Sequence, residues 1–286
     1  MLQENGHSLD ALLPAEMAIK AEQIGVKKAT MNFGALLVLS VLAGAFIAFG
    51  AAFSTTVTAG AGGSMPFGLI RLSAGLVFSL GLILVVVGGA ELFTGNNLIV
   101  MAWANRKVSF AQLLRNWAIV YLGNFLGAFA TAALIYLSAQ HTLGAGVVGA
   151  AALATAEAKS GLSFGQAFVR GILCNVLVCL AVWLSYSGRT TTDKMLAVIP
   201  PITAFVACGF EHSIANMYFI PVGLFIKSWA SDSFWNQIGK AASDYPALSW
   251  DHFWTANLIP VTLGNIFGGA VLVGIVYWFV YLRKPN

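Results

Sequence analysis

The sequence predicts an all-α integral membrane protein of six transmembrane helices, arranged as two inverted three-helix repeats with broken second and fifth helices. Of 286 residues, 58% are hydrophobic and 9% are charged, whereas roughly a quarter are charged in soluble proteins. No charged residue occurs between Lys28 and Arg71 or between Asp251 and Arg283. Polar strings that repeat inside apolar stretches suggest the breaks. Apolarity that is continuous rather than alternating favours helices over a β-barrel.

The chain begins with a predicted surface helix, which six predicted membrane segments follow. Pro14 suits the first position of a helix, and Met17, Ala21 and Ile24 share one face, so we expect an amphipathic helix that ends near Lys28. Membrane segments are predicted near residues 30–54, 67–104, 116–138, 163–187, 195–227 and 253–282. The predicted domains are therefore an amino-terminal helix (1–29), a transmembrane domain (30–282) and a tail (283–286).

The second and fifth segments are too long to cross the membrane as continuous helices. At 1.5 Å per residue they would extend about 57 and 50 Å, against about 30 Å of hydrocarbon. Each holds the string Gly-x-Glu-x-x-x-x-Asn, at Gly89–Asn96 and Gly209–Asn216. A second pair, Leu122–Gly127 and Leu263–Gly268, shares Leu-Gly-Asn-x-x-Gly in the same order. The pattern predicts an inverted repeat in which two interrupted helices meet near mid-membrane.

Basic residues in the loops predict the orientation. The side that holds both termini has more of them than the opposite side, which has Lys159, Lys227 and Lys240, with Arg71 and Arg170 near span ends. The positive-inside rule then places both termini in the cytoplasm. The predicted cytoplasmic set is Lys20, Lys27, Lys28, Arg106, Lys107, Arg115, Arg189, Lys194, Arg283 and Lys284. No basic patch indicates nucleic acid, and no metal site or other cofactor is predicted.

Two polar side chains in the breaks are the first candidates for chemistry. His212 is the one histidine inside a predicted membrane segment, and histidine can gain or lose a proton near neutral pH. Thr94 offers a hydroxyl that can bind a small anion beside His212. Structural alternatives stay open: His212 stabilising the unwound backbone, and Thr94 bonding to its own helix. Half-helix amino termini that point at this place favour an anionic guest.

The carboxylates and amides of the repeated strings are predicted to brace the breaks. Glu91 and Glu211 are expected to accept hydrogen bonds from backbone N–H groups that the breaks set free, and to point away from an anion path. Lys159, in a predicted external loop, can attract anions to a vestibule or can be an ordinary interfacial lysine. The amides expected to brace the breaks are those of Asn96, Asn216, Asn124 and Asn265.

The strings Gly89–Thr94 and Gly209–Met217 resemble those of the formate/nitrite transporter family, and further stretches along nearly the whole chain resemble its formate channel branch. The resemblance implies an aquaporin-like protomer, a homopentamer and a separate substrate path in each protomer. It implies an amino-terminal helix that takes part in gating at low pH. The residue roles that it implies are His212 and Thr94 at the centre, Lys159 and Asn175 in anion attraction and the central site, Phe78 and Phe205 at a periplasmic constriction, and Leu82 and Leu92 at a cytoplasmic constriction.

The resulting hypothesis is a bidirectional formate channel of the bacterial inner membrane, coupled to protons at His212 at low pH. Its expected partners are small monovalent anions and the lipid bilayer. A bare anion loses its water at apolar rings at high cost, whereas neutral formic acid crosses far more easily. Sharing a proton with His212 would supply that neutral form.

Three alternatives remain. Glu91 followed by Thr94-Gly95 resembles the nitrite branch, so the substrate can be nitrite or a broader set that includes acetate, lactate and hydrosulfide. A membrane-embedded enzyme with Glu211 and His212 as an acid–base pair is disfavoured, because no metal-ligand cluster or nucleotide motif accompanies them. A water or glycerol channel is disfavoured by the absence of paired Asn-Pro-Ala strings.

Overall fold

The computed structural model describes residues 10–63 and 65–283, and all regular structure in these ranges is helical. The first nine residues of the predicted amino-terminal segment, and residues 284–286 of the predicted tail, lie outside the described residues. The α-helices are α1 Pro14–Ala29, α2 Phe33–Thr58, α3 Phe67–Gly88, α4 Phe93–Asn96, α5 Val100–Ala104, α6 Phe110–Leu137, α7 Val147–Ser160, α8 Phe164–Ser187, α9 Thr191–Ala207, α10 Ser213–Trp229, α11 Asp232–Ile238, α12 Trp250–His252, α13 Ile259–Ile266 and α14 Val276–Tyr281. Short 3₁₀ turns cover Asn97–Ile99, Gln140–Thr142 and Ala242–Asp244, and π-helical stretches cover Phe253–Leu258 and Phe267–Ile275.

Within the described residues, 5 helices are long and apolar enough to cross a membrane: α2, α3, α6, α8 and the continuous helix Trp250–Tyr281. The remaining segment crosses as two half-helices, α9 and α10, which have 17 residues each. At 1.5 Å per residue each half extends only about 26 Å. The predicted six membrane segments, with a broken second and a broken fifth, are therefore confirmed.

Both breaks begin at a glycine in the left-handed conformation. Gly89 ends α3 with φ of 81°, and Gly209 follows α9 with φ of 73°. Residues with a Cβ rarely adopt this conformation, which explains the glycine at the start of each repeated string. The chain then runs extended to Leu92 and to His212, which are the N-cap residues of α4 and α10. Each break therefore joins the carboxyl end of one half-helix to the amino end of another.

The second half of the chain contains a helix where the sequence predicted a loop. Helix α7 is rich in alanine and has Lys159 in its last turn, whereas the sequence analysis placed Lys159 in an external loop. It corresponds to α1, because each precedes the first membrane helix of its half. The alanines favour a helix, but its 14 residues are fewer than a membrane crossing needs. Each half therefore begins with a short helix before its three crossings, and the second half also contains the short helix α11.

The Leu-Gly-Asn-x-x-Gly strings allow close contact between membrane helices. On α6, a Cβ added at Gly127 would overlap the carbonyl oxygen of Val41 on α2. At the equivalent place in the second half, a Cβ at Gly268 would overlap the carbonyl oxygen of Ile172 on α8. Small residues let helix backbones approach in a membrane, where packing and hydrogen bonds replace the hydrophobic driving force. The close approach also brings the asparagine of each string to its break.

Replacing Gly127 with alanine is expected to destabilise the protein. The new methyl group would force α2 and α6 apart, and overpacking of this kind typically costs about 1–3 kcal/mol. The measurement is the thermal unfolding midpoint of the protein in detergent. Gly68→Ala is the matched control, because a Cβ at Gly68 meets nothing within 4 Å. Equal midpoints for the two variants would contradict the close-packing argument.

Candidate functional site

Each break is fixed by one asparagine from a neighbouring helix. Asn124 Oδ1 accepts a hydrogen bond from the Phe93 backbone N–H at 2.9 Å, and its Nδ2 donates to the carbonyl oxygens of Ser40 and Glu91 at 2.7 and 2.9 Å. Asn124 is fully buried. A buried amide with its donors and acceptor engaged in this way satisfies backbone groups that the break leaves without helical partners.

Asn265 repeats the arrangement in the second half. Its Oδ1 accepts from the Ser213 backbone N–H at 2.9 Å, and its Nδ2 donates to the carbonyl oxygens of Gly171 and Glu211 at 2.8 and 3.0 Å. The two asparagines occupy the same position in the repeated strings and bind equivalent atoms. Each therefore joins the backbone of its break to a neighbouring membrane helix, and the bracing role expected for the pair stays a prediction.

The two glutamates bind side chains instead of freed backbone N–H groups, which corrects the expectation from the sequence. Glu211 accepts from Lys159 Nζ at 3.0 and 3.1 Å and from Asn216 Nδ2 at 2.7 Å. Asn216 Nδ2 also donates to Asn257 Oδ1 at 2.7 Å, and Asn257 Nδ2 donates to the Lys159 carbonyl oxygen at 3.0 Å. The backbone N–H of Glu211 is bound by the carbonyl oxygen of Arg170. The carboxylate therefore neutralises a lysine.

The first break has the same network. Glu91 accepts from Lys28 Nζ at 2.8 Å and from Asn96 Nδ2 at 2.8 Å. Asn96 Nδ2 also donates to Asn116 Oδ1 at 2.9 Å, and Asn116 Nδ2 donates to the Lys28 carbonyl oxygen at 2.9 Å. Lys28 ends the amphipathic helix α1 and so occupies the place that Lys159 has in α7. The amino-terminal helix is thus attached to the first break by an ion pair in which the glutamate is buried and the lysine is partly buried.

Sequence reasoning did not identify Lys28, Asn116 and Asn257 as members of these networks. A signal was present, because Asn116 and Asn257 each lie eight residues before the asparagine of their Leu-Gly-Asn string. Lys28 and Lys159 likewise lie five residues before the first residue of α2 and α8. Aligning the two halves by the Leu-Gly-Asn strings would have paired the two asparagines, whereas the lysines correspond only through the helix starts that the structure shows.

His212 and Thr94 are in contact across the two breaks. Thr94 Oγ1 lies 2.9 Å from His212 Nε2, and both residues are buried. His212 Nδ1 accepts a hydrogen bond from the Ala215 backbone N–H at 3.0 Å. A nitrogen that accepts a bond carries no proton, so in a neutral ring the proton is on Nε2 and points at Thr94. The Thr94 hydroxyl proton then remains available to a guest.

Two cavities lie near this pair, one lined by His212 and the other by Leu92 and Gly95, which are close to Thr94 in the chain. The first, of about 380 Å³, is lined by His212, Phe78 and Phe205 among others, and the second, of about 480 Å³, is lined by Leu82 and Leu92. The Phe78 and Phe205 rings meet edge to face with centroids 5.6 Å apart, and Phe205 stacks on His212 at 5.9 Å. The four side chains assigned to constrictions are all buried. Each cavity therefore has two of these buried apolar side chains in its wall.

Asn175 lies behind Thr94 and lines neither cavity. Its Nδ2 donates to the carbonyl oxygens of Asn265 and Thr94 at 2.7 and 3.3 Å, and to Asn97 Oδ1 at 2.9 Å. Its donor capacity is therefore committed to the protein. A part for Asn175 in the central site, as the resemblance implies, would be to hold the Thr94 backbone.

Lysines dominate the second cavity. Lys20, Lys27, Lys28 and Lys194 line it together with Glu91, which is paired with Lys28. Lys20 Nζ donates to the Tyr186 carbonyl oxygen at 2.8 Å. Burial, and then the neighbouring charges of Lys194 and Arg189, lower the pKa of Lys20 below its usual range. The cavity surface is positive, which favours anions.

Comparison with known proteins gives concordant results. The family model described as "Formate/nitrite transporter" matches residues 15–279. The chain is 48% identical to the Escherichia coli (strain K12) protein named "Formate channel FocA" over 277 residues, which cover 97% of each chain. It is 45% identical over 276 residues, 96% of each chain, to the protein of that name in Haemophilus influenzae.

A solved structure has the same fold. The one titled "Pentameric formate channel with formate bound" matches with a TM-score of 0.84 and 45% sequence identity. The match covers 90% of this chain and 99% of that one. The aquaporin-like arrangement that the sequence resemblance implied is therefore confirmed at the level of the fold.

Proposed function

This chain belongs to the formate/nitrite transporter family, whose members are transporters and not enzymes, and we propose that it is a formate channel. The observation that carries the proposal is the His212–Thr94 pair, which lies between two cavities behind apolar side chains. The relatives named as formate channels, and the related structure with formate bound, support the choice of substrate.

Selectivity follows from the cost of removing water from an anion at the apolar side chains that close the path. An anion drawn in by positive cavity walls must give up its water where Phe78, Phe205, Leu82 and Leu92 close the path, and dehydration of a bare charge is expensive. The Thr94 hydroxyl oxygen is bound by His212 Nε2, so its own proton remains to be donated to a carboxylate at this place. The amino ends of α4 and α10 begin at the same place, so their partial positive charge also favours an anion.

Proton coupling at acidic pH requires His212 to carry a second proton. That proton can bind only at Nδ1, because the neutral ring already carries one at Nε2, so the bond from the Ala215 N–H must first break. The charged ring can then transfer the Nε2 proton to a formate oxygen, which leaves a neutral imidazole protonated at Nδ1 and a molecule of formic acid. The neutral acid crosses the apolar side chains far more easily than the anion.

The assembly and membrane placement follow the same lines. We propose a homopentamer with one path through each protomer, as in the related structure titled a pentameric channel. The protein would lie in the inner membrane of a bacterium with both termini in the cytoplasm, because the positive-inside rule assigns the lysine-rich side to that compartment. The cavity lined by Lys20 then faces the cytoplasm, and the cavity lined by Phe78 and Phe205 faces the periplasm.

The test is flux of labelled formate and labelled nitrite into proteoliposomes that contain the purified protein, with acid outside. Formate entry that exceeds nitrite entry, and that falls when the proton gradient is collapsed, is the expected result. Equal or reversed rates would assign the protein to nitrite or to small anions in general. Absence of flux for both anions would contradict the proposed function.

A further inference from the structure

The first cavity contains a guanidinium group in addition to His212 and the two phenylalanine side chains assigned to a constriction. Arg71, in the second turn of α3, lines this cavity together with Lys159, Arg170 and Glu211. Lys159 and Glu211 form an ion pair at 3.0 Å, with side chains 16% and 4% exposed, so together they add no net charge. The excess positive charge of this cavity therefore comes from the two arginines.

Arg71 is held in place by the carboxyl end of the half-helix α9. Its Nε donates to the Ala207 carbonyl oxygen at 3.1 Å, and its Nη2 donates to the Val206 carbonyl oxygen. Nε and Nη2 form one edge of the planar group, and they bind two successive carbonyl groups at the carboxyl end of α9. The guanidinium is thereby fixed without a carboxylate partner, so its full charge remains.

The other edge of the guanidinium, formed by Nη1 and Nη2, makes no hydrogen bond or ion pair within residues 10–63 and 65–283. Two parallel N–H groups on this edge have the spacing that matches the two oxygens of a carboxylate. Arg170 differs, because it is exposed and its side chain has no hydrogen bond or ion pair in the same ranges. Arg71 is therefore the arginine with a fixed position.

We propose that the Nη1–Nη2 edge of Arg71 is a docking site for small planar anions with two oxygens, such as carboxylates, before they enter the barrier. The inference rests on the proposed function. Arg71, Ala74 and Phe78 line the cavity from one face of α3, so the site lies about 10 Å along the helix from the phenylalanine constriction. An anion bound there would be concentrated and oriented, since a bidentate pair fixes the carboxylate plane.

Arg71→Lys separates the effect of the Nη1–Nη2 edge from the effect of the charge, because lysine keeps the charge but binds as a point donor. We expect the half-saturation concentration for formate flux to rise about tenfold in this variant, with the maximal rate within about twofold of the wild type. Arg71→Gln is expected to raise it further, because the charge is also lost. Lys240→Gln is the control, since it removes a charge outside the cavity and is expected to change neither value.

Two results of this flux experiment would overturn the proposal. A half-saturation concentration in Arg71→Lys equal to the wild-type value would show that charge alone is sufficient. A fall in maximal rate with unchanged half-saturation would show that Arg71 only stabilises the end of α9.

A second measurement does not depend on the folding of Arg71 variants. The protein is purified in detergent with Arg170→Lys, so that Arg71 is the arginine left in the lining of this cavity. Phenylglyoxal is used to label Arg71, and peptide mass spectrometry measures the adduct. Formate is expected to slow the labelling of Arg71, whereas the same concentration of chloride is not. Equal labelling rates with the two anions would overturn the docking site. Because this readout requires no transport, a failed docking site and a failed formate channel are distinguished by labelling and by wild-type flux.

Discussion

Replacing His212 with phenylalanine is expected to abolish the acid-stimulated part of formate uptake. Phenylalanine has no Nε2–H to donate to Thr94 and no nitrogen to receive the Ala215 N–H, so both bonds of His212 are lost. Proton transfer by a positioned side chain typically contributes about a hundredfold or more. The measurement is initial uptake of labelled formate into proteoliposomes with and without acid outside. A residual anion leak, independent of the proton gradient, is expected to remain.

The control is His212→Asn, which separates the proton from the helix cap. Asparagine is among the best N-cap residues, because its side-chain oxygen accepts from a backbone N–H in the first turn, as His212 Nδ1 does. The variant should therefore assemble normally, but its side chain at position 212 cannot gain or lose a proton. We expect its acid-stimulated uptake to be lost as in the phenylalanine variant. Wild-type acid stimulation in His212→Asn would exclude His212 as the proton carrier.

The breaks and the central pair could be predicted because they leave a strong local signal. A glutamate in a long apolar run is unusual, and its repetition in the same string marks two equivalent places. Gly89 and Gly209 have left-handed backbone conformations. Glycine adopts this conformation most readily, so the glycine that begins each string marks the break in the sequence. The contact between His212 and Thr94 follows, since equivalent breaks of an inverted repeat meet near the middle of the membrane.

The partners of the glutamates could not be predicted in the same way. Lys28 lies at the end of a surface helix, where a lysine is explained by interfacial placement alone. Only the folded chain brings it to Glu91, 63 residues away in the sequence. The sequence predicts backbone N–H groups as partners of the carboxylates, whereas the N–H groups of Phe93 and Ser213 donate to Asn124 and Asn265. A buried carboxylate selects a charged partner when one is within reach, because an unpaired charge is far more expensive.

Lys159 shows how the structure changes the meaning of a residue. On the sequence, a lysine near a vestibule can attract anions, but its Nζ is bound to both oxygens of Glu211. An ion pair of this kind has a weak field beyond its own dimensions, so its contribution to anion attraction is small. The corresponding pair at the first break, Lys28 and Glu91, has the same property. The two ion pairs lie at the breaks and add no net charge, so other cations supply the net positive charge of both cavities.

Replacing Lys159 with methionine is accordingly expected to lower the thermal stability of the protein more than it lowers the attraction of anions. Removing one member of a buried ion pair leaves the other charge unpaired and typically costs about 3–5 kcal/mol. Lys159→Met should lower the thermal unfolding midpoint of the detergent-solubilised protein strongly. Glu211→Gln in the same chain should restore part of the loss, because glutamine can keep the bond to Asn216 without a charge. The wild type, the two single variants and the double variant form a double-mutant cycle, which gives the coupling energy between the two side chains.

The matched cycle uses Lys28→Met and Glu91→Gln at the first break. The bond pattern is the same, but the Lys28 side chain is 23% exposed against 16% for Lys159, so we expect a smaller coupling energy. If Lys159→Met alone leaves the midpoint unchanged, the pair does not brace the break. If the double variant at the second break is stable and conducts formate normally, the two charges of the pair have no part in conduction. The attraction of anions to that cavity then falls to Arg71 and Arg170, the two cations that line it without a carboxylate partner among the described residues.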